Sequence, residues 1–340
     1  MSSSEPRRPG RWLLSLALLL AALPLAAQQI KIATVAPDGS AWMREMRAAA
    51  KQVETATDGR VTIKYYPGGV MGNDATVLKK IKLGQLQGGA LTGSELSGVY
   101  RNAPLYSVPF LFRSMEEVDA VRAEFDARLA EGLQASGFRM LSLSGVGFAY
   151  LMSSGDIGSR EALAQRKVWV PQNDVLAERT FRAGGIAPIP LALPDVFTGL
   201  QTGLVDTVGN TPAGAIALQW HGALRQLLDL PLSYVVGYVV VDERTWKKLS
   251  PDDQAATLKA FAEASARIDA GNRESDAQAL AALVELGVKK IAPGAEEITR
   301  WETIGREVID TLVAEKALDA ELVDPLRHKL AGLRESPAAP

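Results

Sequence analysis

Few side chains in this sequence are placed to make or break bonds. The histidines are His221, in LQWHGALRQL, and His328 near the end, and cysteine is absent. Without a thiolate and without an H-x-x-x-H pair, a zinc or other transition-metal centre has no ligand set. Neither a G-x-S-x-G elbow nor a P-loop occurs. GVGFAY, residues 145–150, starts like a dinucleotide fingerprint but lacks its third glycine and sits inside a β-type run. The paired acids Glu116–Glu117 and Asp252–Asp253 fall at helix starts, where carboxylates suit the dipole and stay in water. No nucleophile–base arrangement remains, so neither an enzyme nor a cofactor is expected.

Recognition is better provided for. In QRKVWVPQN, residues 165–173, strand alternation puts Val168 and Val170 on one face and Lys167 and Trp169 on the other. Pro171 ends the run because it cannot donate to a central ladder. An indole at the end of a short strand either fills a core or meets a ligand.

The flanking elements alternate. QIKIATVA reads as a strand. DGSAWMREMRAAAKQVETATDG reads as a helix that Asp38 or Ser40 caps and Gly59 stops. RVTIKYYP, a helix through DATVLKKIKLGQ, and the short strand GGALTG follow, a rhythm that predicts a mostly parallel sheet. FRMLSLSGVGFAYLMSS and PLSYVVGYVVVDE are β-type runs long enough to pass between two lobes. Ser250–Pro251 then opens a chain of helical patterns. These features predict a two-lobed α/β clamshell: lobe I from 28–146 plus about 236–285, lobe II from 147–235 plus about 286–330, and a frayed tail at 331–340.

A length of 340 residues suits two domains. With 37 basic and 39 acidic side chains the formal charge is -2, which offers nucleic acid no basic footprint. MSSSEPRRPGR followed by the apolar run Trp12–Ala27 reads as a secretory signal cut after Ala27. The run is too short, and too broken by Pro24, for a spanning helix. The absence of cysteine excludes a lipid anchor at that cut, so export to a periplasm is expected.

The ordered segments IATVAPDGSAW, GRVTIKYYPGGVMGND, LKKIKLGQLQGG, YSVPFLFRSMEEV, APIPLALPDVFTGLQTGLVDTVGN and DERTWKKLSPDDQ resemble the solute receptors of TRAP transporters, the DctP-type family, over about residues 30–320. The resemblance implies two lobes, a long helix across both, and a cleft that closes on a small solute for delivery to a TRAP membrane permease. Relatives carry an arginine two residues after the lysine of RKVWVP, where it clamps a carboxylate; here that position is Trp169. The VDGxEN pattern is here VDTVGN, so Asn210 matches while Gly209 replaces the acid. A charge-assisted bond contributes about 1.5–3 kcal/mol net, and a buried carboxylate without a partner is disfavoured by several kcal/mol. An apolar, aromatic or neutral amphipathic ligand is therefore expected. Trp169 and Asn210 are the leading ligand contacts, with Phe148, Trp42 and Phe112 as flanking candidates. Arg139 and Arg182 are the cations that could replace the clamp. Arginine-less receptors of this kind are associated with periplasmic helical-repeat proteins, so such a partner is implied. The alternative is a receptor-like module that reports ligand state to that partner.

Overall fold

The computed structural model describes residues 27–335. Strands β1 (Gln28–Thr34), β2 (Val61–Tyr66) and β3 (Gly88–Thr92) pair in parallel and carry helices α1 (Ala41–Ala56) and α2 (Asp74–Lys82) between them. Ser40 caps α1, its Oγ accepting from the Met43 amide at 3.2 Å. Met43, Met46, Ala49 and Val53 recur about one turn apart and form the buried stripe of α1. The short helix α3 (Gly93–Leu96) and the longer α4 (Met115–Ala135) complete the first run.

Two long strands join the lobes. β4 (Phe138–Ser153) and β8 (Gln226–Asp242) run antiparallel along nearly their whole length. At one end β8 pairs with β3; at the other β4 pairs with β7 (Thr207–Asn210) and β8 with β9 (Lys289–Ile291). The strand order is β2-β1-β3-β8-β4-β7, with β9 on β8. The mostly parallel sheet expected from the alternation is thus mixed. A chain that leaves lobe I on one strand and returns on the next must run the two in opposite directions.

The second lobe adds α5 (Arg160–Leu163), a two-stranded parallel sheet of β5 (Trp169–Pro171) and β6 (Ile189–Leu191), and helices α6 (Val175–Ala183), α7 (Val196–Thr202) and α8 (Pro212–Ala217). The small helix α9 (Glu243–Trp246) follows β8. Helix α10 (Pro251–Glu285) then runs 35 residues, about 50 Å, packing on α1 at one end and α8 at the other.

Helix α11 (Ala295–Ala314) packs on α6, but α12 (Ala320–Glu335) returns to α4 of lobe I. Of residues 286–330, expected in lobe II, β9 pairs with the start of β8, while α11 also meets Arg113 of lobe I through Glu302. The tail expected to fray from 331 stays helical to Glu335. Arg334 explains this: its Nε and Nη2 donate to the two Glu117 oxygens at 2.7 and 2.9 Å, and Nη2 also reaches the Leu111 carbonyl. Most of the signal expected at 1–27 lies outside the described residues.

Candidate functional site

A cavity of about 110 Å³ lies between the lobes. Lobe I lines it with Val35 just after β1, Asn73 and Asp74 at the start of α2, Thr92 and Glu95. Lobe II supplies Trp169, Pro171, Gln172 and Asn173 from the end of β5, and Ala192, Leu193 and Pro194 after β6. Strand ends from both lobes converge here, where open α/β sheets hold ligands. The YPGGVMGND turn delivers Asp74. Gly72 at φ +102 allows its tight approach, since a Cβ there would sit 2.6 Å from Thr76 Cγ2. Asn73 caps α2 through its Oδ1, which accepts from the Thr76 amide at 3.0 Å.

Trp169 is both core and wall. Only 4% of it is exposed, and its ring packs edge-on against Trp220 at 5.4 Å. The indole Nε1 donates to the Leu191 carbonyl at 3.1 Å across the β5–β6 pair, so the polar handle of the ring is already occupied. What Trp169 offers the cavity is apolar surface. Among the described residues no lysine or arginine lines the cavity. Arg139 lies 3.7 Å from Glu243 and over the Trp246 ring, and Arg182 pairs with Glu178 on α6.

The charge in the cleft is negative, which the sequence did not announce. Asp74 Oδ2 accepts from the Thr92 amide at 3.1 Å, while its buried Oδ1 has no hydrogen-bond partner. Burial pushes the Asp74 carboxyl up to about 6, the Thr92 amide and hydroxyl opposing and Glu95 adding to the rise. An acid in the first turn of a helix reads as an ordinary dipole partner. The Gly-rich turn before it was the signal that could have marked it.

The lobes also touch across the cavity rim. Asn173, at φ +71, donates through Nδ2 to Glu95 Oε2 at 3.2 Å. Its neighbour Asp174 caps α6 through the Ala177 amide. Burial raises the Asp174 carboxyl, with the Ala177 amide and the Ser94 hydroxyl of lobe I acting against that rise.

The other sequence candidates lie apart from this cavity. Asn210 stands opposite Tyr150 in the ladder, and its Oδ1 accepts from the next amide, Thr211, at 2.8 Å, which opens the turn into α8. Phe148 packs edge-on against Tyr234 and lines a second hollow, of about 480 Å³, between the hinge strands and α10. Phe112 is buried between Tyr106 and Tyr234 and lines a hollow with Phe110 and Arg113. Trp42 packs, partly buried, on the core between α1, α10 and the sheet. His221 follows α8, and His328 is exposed on α12. Among the described residues no group of acidic, histidine or cysteine side chains is placed to hold a metal ion.

Two α/β lobes on a pair of antiparallel crossings, bridged by one long helix and enclosing a cavity between their strand ends, define a hinged solute receptor. The model of the bacterial extracellular solute-binding proteins, family 7 (DctP), matches residues 32–316, and the chain belongs to that family. The C4-dicarboxylate-binding periplasmic protein DctP of Rhodobacter capsulatus is 26% identical over 330 residues, 92% of this chain and 97% of that one. A TRAP periplasmic solute-binding protein from Ochrobactrum anthropi, whose C-terminus is bound in its ligand-binding pocket, has a TM-score of 0.79 at 27% identity, covering 91% of this chain and 97% of that one. One from Desulfovibrio salexigens with bound orotic acid has a TM-score of 0.83 at 19% identity, covering 89% and 99%. The protein is thus a TRAP-type solute-binding receptor and not an enzyme, of a family whose members are periplasmic.

Proposed function

We propose that this receptor is exported through an N-terminal signal, captures a small solute with an apolar body and no carboxylate in the cleft beneath Trp169, and delivers it to a TRAP membrane permease. The observation that carries the ligand class is the cavity wall. The resemblance implies an arginine at the position of Trp169, and among the described residues no lysine or arginine lines the cavity. Relatives include a dicarboxylate-binding protein and one with bound orotic acid, both acids. A carboxylate brought into this cleft would meet Asp74 and Glu95 with no cation to compensate, a loss of several kcal/mol. An apolar body would instead gain about 25 cal/mol for each Å² buried against the indole, Pro171 and Leu193.

Nothing observed favours the reporter module over transport. A periplasmic helical-repeat protein is proposed only as an accessory partner, which affinity capture with the tagged receptor tests. The direct test of the function is native mass spectrometry of the protein as isolated, followed by tryptophan-fluorescence titration with dicarboxylates, sugar acids and apolar metabolites. Retained or titrated apolar cargo supports the reading. Tight binding of a simple organic acid by the wild-type protein defeats the ligand class and leaves the receptor.

A further inference from the structure

The polar end of the cleft has a sign that the reading above leaves open. Among the described residues, both charged side chains lining the cavity are carboxylates, Asp74 at the head of α2 and Glu95 in α3. Asp74 is held in place by the Thr92 amide at Oδ2, yet Oδ1 is sealed from solvent and has no donor. A sealed, half-bonded carboxylate is disfavoured unless something supplies the missing donor and the opposite charge.

Three cations of the surrounding elements are engaged elsewhere, and Lys79 and Lys82, on the outer part of α2, are exposed and do not line the cavity. Lys80 Nζ donates to the Met71 carbonyl at 2.9 Å, Arg101 pairs with Asp319, and Arg179 pairs with Glu315. The Glu95 carboxylate takes a neutral donor, Asn173 Nδ2, from the opposite lobe. A solute acid would be repelled here, and a neutral amide would donate to a carboxylate without balancing its charge. A protonated amine does both.

We propose that the cleft selects a small organic ammonium, paired with the Asp74 carboxylate within the field of Glu95 and with its apolar body against Trp169, Pro171 and Leu193. This deepens the receptor reading and rests on the cleft being the solute site. A cavity of about 110 Å³, well below the ~300 Å³ at which drug-sized sites begin, restricts the solute to a compact amine.

The test combines identification of any cargo released from the isolated protein with calorimetric titration by two matched sets, butylamine, butyramide and butyrate, and benzylamine, benzamide and benzoate. It is run at about pH 7.5, where the amines carry their proton. Asp74→Asn retains an acceptor for the Thr92 amide, and Glu95→Gln provides a second variant should the first fold poorly. The expected result is an amine as cargo, or an amine as the tightest probe of its set, with Asp74→Asn weakening it roughly 10- to 100-fold, the range of one charge-assisted hydrogen bond, and Glu95→Gln weakening it less. An acid or neutral cargo, an amide or acid that equals its amine, or amine binding untouched by both variants overturns the ammonium while the receptor reading stands. No cargo and no binding by any probe overturns the ammonium together with the cleft beneath Trp169 as its site, while membership of the receptor family stands.

Discussion

Two carboxylates of this molecule sit near its centre and are built in opposite ways. Asp269 of α10 is fully engaged: Oδ1 accepts from the Gly145 amide at 2.6 Å, and Oδ2 receives Arg122 Nη1 at 2.8 Å. Arg122 is itself held by Asp126 and the Leu143 carbonyl. Asp74 keeps one oxygen bonded and one sealed without a partner. The hinge carboxylate is satisfied from within and needs nothing further, whereas the cleft carboxylate is satisfied only in part. Buried acids that fix architecture close their own hydrogen bonds; an acid held ready for a visitor does not.

Substitutions sharpen that contrast, beginning with the largest effect. Trp169→Ala removes an indole from the Trp220 contact and is expected to destabilise the fold by about 3–5 kcal/mol, read as a lowered denaturant midpoint. A drop under about 1 kcal/mol, typical of a surface change, would mean that the ring is wall and not core. Asp269→Ala leaves Arg122 short of a partner and the Gly145 amide without an acceptor, a loss of about 3 kcal/mol. Asp74→Asn has the opposite sign. Removing a charge that burial disfavours should stabilise the unliganded protein by about 1–2 kcal/mol at neutral pH, once partial exposure is allowed for. Should Asp74→Asn prove as destabilising as Asp269→Ala, the two sites are not built differently.

The pH dependence carries the same contrast. Burial raises Asp74 and Asp276 from 3.8 to about 6, so in each case it is the ionised form that the fold disfavours. Between about 6 and 3.8 the native state binds protons that the unfolded chain does not, and stability rises as pH falls through that window. Asp253 behaves conversely: the Arg60 hydrogen bond lowers it, so its contribution is present above 3.8 and is lost as pH falls through its folded value. A melting midpoint that climbs from neutral pH to about pH 5, with a shallower climb in Asp74→Asn, is the expected profile. The smallest effect is Asn173→Ala, which removes the bond to Glu95 and should favour parted lobes by about 0.5–1.5 kcal/mol, seen as a larger radius of gyration in solution scattering.

Much of this was readable from residue order because it depended on long, repeated patterns. The apolar runs behind β4 and β8 are too long for strands confined to one lobe, and Ser250–Pro251 marked the start of α10 to the residue. Val168 and Val170 went to one core and Trp169 to another, as alternation requires. The return of α12 to lobe I was hidden because its amphipathic pattern specifies a buried face and not which lobe buries it. Asp74 was hidden for a different reason: its half-satisfied state is a tertiary property, produced by Thr92 arriving from another strand. Asn210 looked like a polar group awaiting a partner, and a local turn took its oxygen.

The bulge at Gly145 links the hinge to the long helix more firmly than packing alone. Its amide goes to Asp269 and its carbonyl receives Asn272 Nδ2 at 2.6 Å, while Asp276, a turn further along, accepts from Ala213 at the start of α8 at 3.4 Å. One rod is thus pinned tightly to the pivot and loosely to the far jaw. Parting the jaws must flex that rod or slip its outer pin, so the rod resists the movement as a leaf spring does.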